Sequence, residues 1–239
     1  MRPVRGIVLS VVAAAVGLFV ALVSWAFSAP VGAAPDDTYH LPTIWCSWGE
    51  HQKCQRDAEG SLQAPQIVSE VCTFQRPMVS ASCEYLRSES LVTVGHLKYV
   101  GSDKALTGNT LFHRVLRSLV GPDSQQSAVT MRIANVLLAA SMFAWALLVS
   151  SAAVRRALAL SWLLAIVPVG TFIMSSTNPS GWVIVGVGTY WAFLLAVLRP
   201  GGRSQLQRSS ALVGAVVSAI IAIGARTDAL VFIGGSTVA

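Results

Sequence analysis

Four stretches of the chain are apolar for long enough to cross a bilayer, and this constrains the fold more than any other feature. They are Ile7 to Phe27, Ile133 to Ser151, Ala157 to Ser176 and Gly181 to Leu198. Each meets or approaches the roughly 20 residues that a helical span requires. A fifth stretch, Ser210 to Ala225, is slightly short but carries no charge. Inside a bilayer no water satisfies backbone N–H and C=O groups, so such segments must be helical. The expected fold is an all-α polytopic membrane protein with about five transmembrane helices, an incomplete sixth and one large disulfide-containing loop. The final run "ALVFIGGSTVA" has eleven residues, too few to cross as a helix. It reads either as a re-entrant or surface segment or, the favoured reading, as the start of a sixth span in a truncated chain.

Three regions follow: residues 1–28 as a first transmembrane helix acting as signal anchor, 29–128 as a polar loop domain, and 129–239 as the remaining spans. Arg2, Arg5 and the small residues "VGAA" also fit a secretory signal with a cleavage site, although the apolar run exceeds a usual signal core. Hydrophobic residues make up 54% of the chain and charged residues 12%, which excludes an ordinary soluble enzyme. The net charge of +6 is therefore a question of sidedness rather than of nucleic-acid binding. Arg2 and Arg5 precede the first span, Arg155 and Arg156 join the second to the third, and Arg199, Arg203 and Arg208 join the fourth to the fifth. Placing these links in the cytoplasm of a bacterial plasma membrane puts every Asp, Glu, His and Cys on the extracytoplasmic side.

The loop holds all four cysteines, Cys46, Cys54, Cys72 and Cys83. An even number in an oxidising compartment reads as two disulfides, and the sequence-local pairing is expected. Their spacing does not suggest zinc. "LFHRVLRSLV", Leu111 to Val120, has apolar residues at helical spacing, with His113, Arg114 and Arg117 toward the other face. It reads either as a helix packed on the loop domain or as an interfacial helix whose arginines meet lipid phosphates.

Candidate chemistry lies close to the span ends. In "SAPVGAAPDDTYHL" the adjacent carboxylates Asp36 and Asp37 are followed closely by His40. Two like charges at an interface repel, and desolvation raises the pKa of at least one. Such a group suits a general base, or half of a divalent-metal site; it also suits a merely solvated turn after Pro35. Arg132 lies where the second span begins, Asn178 and Ser180 precede the fourth, and Arg226 and Asp228 follow the fifth. Helix starts and arginines in one layer would suit a phosphate at headgroup depth. His40, Arg132, Asn178, Arg226 and Asp228 are the candidate substrate-binding residues.

The stretches "APDDTYH", "FQRPMVSASC", "MRIANVLLAA", "SSTNPSGWVIVGVGTYWAFLL" and "ARTDA" resemble the family of polytopic bacterial membrane proteins called domain of unknown function 2142. That family is in turn similar to the C-type glycosyltransferases. The resemblance implies transfer of a sugar from a polyprenyl-phosphate carrier to an envelope glycan acceptor. It places the superfamily's acidic pair on Asp36 and Asp37, with Asp36 as base toward the acceptor hydroxyl. Two features depart from the family pattern: Asp-Asp stands where Asp-Glu is frequent, and no Tyr-Pro-Pro-like stretch precedes the second span. The alternative from another class is a non-catalytic scaffold or accessory subunit that binds an envelope partner through its loop.

Overall fold

A computed structural model describes residues 2–70, 78–80, 82–83, 88–97, 108–166, 168–198 and 204–238. The chain is mostly helical and divides into two compact units. One comprises Met1–Trp25, Asn135–Ser175 and Ser180–Ala239, the other Ala26–Ala134 and Ser176–Pro179.

The first unit carries the apolar helices. Four are long and apolar enough to span: Gly6–Ser28 within α1 (Arg2–Ser28), α5 (Ser124–Val149), α8 (Ser180–Leu198) and α9 (Gln205–Ala225). The third expected span is not one continuous helix. It begins earlier and is broken into α6 (Ala152–Ala165) and α7 (Pro168–Met174), which together count as a fifth span if the bent pair is one crossing. The break follows from Pro168. Proline lacks the N–H needed to continue a helix yet fits the first helical position, and Ile166, two residues earlier, has already left helical geometry at φ −81°, ψ 74°. The last apolar run forms α10 (Ala229–Val238), whose ten residues rise about 15 Å, half of a hydrocarbon core.

Large apolar side chains such as Leu9, Val12, Val16 and Val20 on α1, and Leu212, Val213, Val216 and Ile220 on α9, are exposed. Surfaces of this kind belong against lipid. Where α8 meets α9 the partners are small. A Cβ at Gly186 would lie 2.6 Å from the Ser218 carbonyl oxygen and 2.8 Å from the Ala222 Cβ. The buried hydroxyls of Thr189 and Ser218 bond each other at 2.9 Å. Close backbone approach through small residues, with hydroxyls bonding across, is how membrane helices associate when lipid removes the hydrophobic drive. The Trp182 indole N–H also donates to Asn135 Oδ1 at 2.9 Å, giving that buried amide a packing role.

The polar unit contains α2 (Asp37–Cys46), β1 (Gln55–Arg56), β2 (Leu62–Pro65), α3 (Gln66–Ser69), β3 (Leu91–Thr93) and α4 (Leu111–Arg117). The strands form one antiparallel sheet in the order β1-β2-β3, with Gln55 opposite Gln63 and Pro65 opposite Leu91. These strands are not expected from the sequence pattern. At two to four residues each, these strands are too short for a period-two pattern to register. Asp57 makes the β1–β2 turn by accepting from the backbone N–H groups of Glu59 and Ser61, and Gly60 supplies the positive φ of 84°. Leu62, Ala64, Val94 and Leu97 pack around the Cys46–Cys54 disulfide. Closing that eight-residue separation stabilises the unit by roughly 2.5 kcal/mol in the chain-entropy view. Cys83 is also disulfide-bonded; Cys72, its expected partner, lies outside the described residues.

The helix expected over Leu111 to Val120 ends earlier, at Arg117, and its faces differ from the sequence reading. Phe112, His113 and Leu116 are buried, whereas Leu111 and Val115 are exposed beside Arg114. His113 therefore points inward. Its side chain closes a capping box with Thr110, taking the place usually held by Glu or Gln.

Candidate functional site

The candidate site belongs to the polar unit and is built on the turn that follows α1. Asp37 is wholly buried. Its Oδ1 accepts from the Thr177 hydroxyl at 2.6 Å, and its Oδ2 accepts from the Ala34 backbone N–H at 3.3 Å. Arg132 Nη2 lies 3.6 Å from Oδ2, an ion pair just beyond hydrogen-bond reach. The same guanidinium donates from Nη1 to the carbonyls of Ala26 (3.2 Å) and Ala29 (2.6 Å), and from Nη2 to that of Pro30 (2.8 Å). The Asn178 amide donates to the Pro35 carbonyl at 2.8 Å. The turn from Ala26 to Asp37 is thus gripped by Arg132 and by the polar island Ser176–Pro179.

Physical cause and effect are clear at Asp37. Burial pushes its carboxyl above the usual carboxylate range, and the Arg132 charge and the Thr177 and Ala34 hydrogen bonds pull against that shift. Taking a carboxylate and a guanidinium out of water is costly unless they are paired and their remaining valences are filled. Three backbone carbonyls fill most of those of Arg132, leaving only its buried Nε without a partner.

Asp36 is the opposite case. It is exposed, and at φ 61° it is the only non-glycine residue with positive φ among the described residues. It occupies the N-cap position of α2 without a side-chain cap bond. Aspartate tolerates this left-handed backbone better than most residues. The two carboxylates therefore differ in kind. Asp37 anchors the turn, and Asp36 is presented at its surface. Because the Asp37 oxygens are engaged by Thr177, Ala34 and Arg132, the pair does not offer two open carboxylates to a divalent cation. No cluster of three His, Cys, Asp or Glu suited to a metal occurs among the described residues.

The remaining sequence candidates fall in separate places. His40 is half-buried, and its Nδ1 lies 3.1 Å from His113 Nε2. The Thr110 backbone N–H donates to His113 Nδ1 at 3.2 Å, so His113 carries its proton on Nε2 and donates it to His40. Burial, with His40 beside it, pushes His113 down to about 3, so it is neutral at any ordinary pH. His96 stacks on Tyr39 at 4.3 Å and donates from Nε2 to the Tyr39 carbonyl. Three of the four histidines thus gather about Tyr39 and His40. Of these the sequence makes only His40 a candidate site residue and places His113 on the outward face of its helix; no spacing signal links the three.

Arg132 and Asn178 are almost wholly buried, at 1% and 4% exposure, and bind the protein's own carbonyls, so neither presents a free donor at the surface. Thr177 is not among the sequence candidates; the only signal for it is the run "SSTN", polar between two apolar stretches. In the other unit, Arg226 grips Asp228 in a two-pronged pair, Nε to Oδ1 at 3.2 Å and Nη2 to Oδ2 at 3.0 Å, and reaches the Ser180 hydroxyl at 3.3 Å.

Span helices, a disulfide-braced polar unit and a latched post-span turn define a multi-pass membrane protein associated with the lipid bilayer. The chain belongs to the family described as predicted membrane protein (DUF2142), whose model matches residues 18–234. No curated protein and no solved structure matches it.

Proposed function

We propose that the chain is a glycosyltransferase-like membrane protein, or part of one, that moves a sugar from a polyprenyl-phosphate donor to an envelope acceptor. The N-terminus and the arginine-bearing links lie in the cytoplasm and the polar unit faces outside; the support is the bias of arginine toward those links. The observation that carries the reading is the pairing of a strained, exposed Asp36 with a buried, latched Asp37. A residue held in a sparsely populated backbone region persists only where its surroundings over-determine it, and such residues concentrate at functional sites. Asp36 is the base toward the acceptor hydroxyl, and Asp37, Arg132, Thr177 and Asn178 position it. His40, on α2 close behind Asp36, is the candidate contact to the acceptor or the donor phosphate; Arg226 and Asp228, in the other unit, are separate candidates for donor binding.

The test is transfer from a radiolabelled polyprenyl-phosphate sugar by the full-length protein in membranes. Asp36→Asn should abolish transfer while expression and thermal stability hold. Asp37→Asn should lower both together. Undiminished transfer by Asp36→Asn sinks the proposal. A second reading, recognition of an envelope partner, draws on the disulfide-braced sheet. Loss of partner capture on Cys46→Ser, with Asp36→Asn silent, would favour it.

A further inference from the structure

The spanning unit contains a cavity of about 570 Å³ where one end of α1, the end of α5 and the start of α6 come together. Small and apolar residues, Gly6 and Ala14 on α1, Leu147 on α5 and Ala159 on α6, form most of its wall. Two guanidinium groups, Arg155 and Arg156, and Ser10, whose hydroxyl donates to the Gly6 carbonyl at 2.9 Å, line the rest. Neither arginine has a carboxylate partner among the described residues.

The shortage is built into the sequence. The unit carries Arg2, Arg5, Arg155, Arg156, Arg199, Arg203, Arg208 and Arg226 but a single acid, Asp228, which Arg226 already holds. Two adjacent arginines at a span end, one of them only half exposed, thus have no carboxylate beside them among the described residues. A bound anion would supply that counter-charge. The apolar wall selects its type: a free inorganic anion would leave that surface unfilled, whereas an amphiphile fills both halves. The first turn of α6, which borders the cavity with Ala152 and Arg155, adds the positive end of its dipole.

We infer that this cavity binds an anionic phospholipid, with its phosphate between Arg155 and Arg156 and the upper part of an acyl chain against Gly6, Ala14 and Leu147. Basic pockets between membrane helices take acidic headgroups by this combination of charge and apolar wall. Guanidinium groups suit a phosphate diester because their planar donors match two of its oxygens. The site is independent of the Asp36 reading and stands or falls without it.

The test is native mass spectrometry of the full chain in detergent, titrated with dioleoyl phosphatidylglycerol, dioleoyl phosphatidylcholine or inorganic phosphate. Phosphatidylglycerol should bind at least tenfold more tightly than phosphatidylcholine. The R155Q/R156Q double variant should erase that preference while keeping the wild-type elution profile. Because R155Q/R156Q could disturb the chain, Ala159→Phe provides a second arm: it fills the cavity from the apolar side and should weaken phosphatidylglycerol at least fivefold with both arginines intact. Equal affinity for the two lipids, or an unchanged preference in R155Q/R156Q, overturns the inference. Displacement of phosphatidylglycerol by equimolar inorganic phosphate also overturns it, since the site would then take a free anion.

Discussion

Thr177 donates its hydroxyl hydrogen to Asp37 at 2.6 Å, joining two buried side chains 140 positions apart in the chain. With Arg132 on the far side of the same carboxylate, this bond turns the segment after α1 from a solvated turn into a latched one. Breaking either half should be expensive. Thr177→Val removes a hydrogen bond to a charged group and should lower stability by about 1.5–3 kcal/mol. Arg132→Gln leaves a buried carboxylate without its counter-charge and should lower it by about 3–5 kcal/mol. Adding Asp37→Asn to Arg132→Gln should restore part of that loss. Thermal unfolding in detergent of wild type, Arg132→Gln, Asp37→Asn and the double variant gives the coupling directly, and simple additivity would contradict the latch.

A second anchor ties the sheet region of the polar unit to the start of α5. Glu89 accepts from the Ser124 backbone N–H at 2.9 Å and from its hydroxyl at 2.7 Å, and Lys53 donates to it at 2.7 Å. Lys53 also reaches the Pro122 carbonyl. Glu89→Gln should reduce stability by about 1 kcal/mol, the usual effect of losing a charged helix cap. Burial opposes the Glu89 charge, but Lys53 and the two Ser124 donors prevail and hold its carboxyl below the ordinary range. Its contribution is therefore present above the ordinary glutamate pKa of about 4.3 and is lost as the pH falls through the lower folded value. Acid titration of wild type against Glu89→Gln should show the curves drawing together as the pH falls below the ordinary glutamate range.

Much of this architecture was legible before any coordinates, because apolar length is a direct physical demand of the bilayer. The spans at α1, α5, α8 and α9 follow from that demand, and of the three possible cysteine pairings the expected sequence-local one contributes Cys46–Cys54. Other features depend on tertiary contacts that leave no periodic trace. Asp37 and Asp36 are identical in type and adjacent in sequence, yet one is buried and the other exposed because Thr177 and Arg132 converge on only one of them. Spacing alone places His113 on the outward face of its helix; its ring instead turns in to close the Thr110 cap and meet His40. The break at Ile166 was within reach, since Pro168 marks it in the sequence.

His113 gives a pH signature of definite sign. Its folded value of about 3 lies well below the 6.5 of an unfolded histidine. Below pH 6.5 the unfolded chain takes up a proton that the folded chain refuses. The stability due to this group is therefore complete above that pH and falls by about 1.4 kcal/mol per unit on acidification. His51 and His96, also held down by burial, add to the trend. The His113→Gln protein should lose stability less steeply between pH 6.5 and 4.5 than wild type. Parallel curves would mean that the buried imidazole does not titrate as the geometry requires.

The α8–α9 contact offers a comparison between two glycines of the spanning unit. At Gly186 a new Cβ would press on the Ser218 carbonyl at 2.6 Å and on the Ala222 backbone nitrogen at 2.9 Å. Those are backbone atoms and cannot rotate aside, so Gly186→Ala must push the helices apart, at about 1–3 kcal/mol. At Gly17, on α1, a Cβ meets nothing within 4 Å. Gly17→Ala should therefore be neutral, or stabilising by up to about 1 kcal/mol through helix propensity. Melting temperatures of the two variants in the same detergent decide the matter. Equal shifts would show that α8 and α9 do not pack through Gly186, and the Thr189–Ser218 hydroxyl contact would then lose its setting as well.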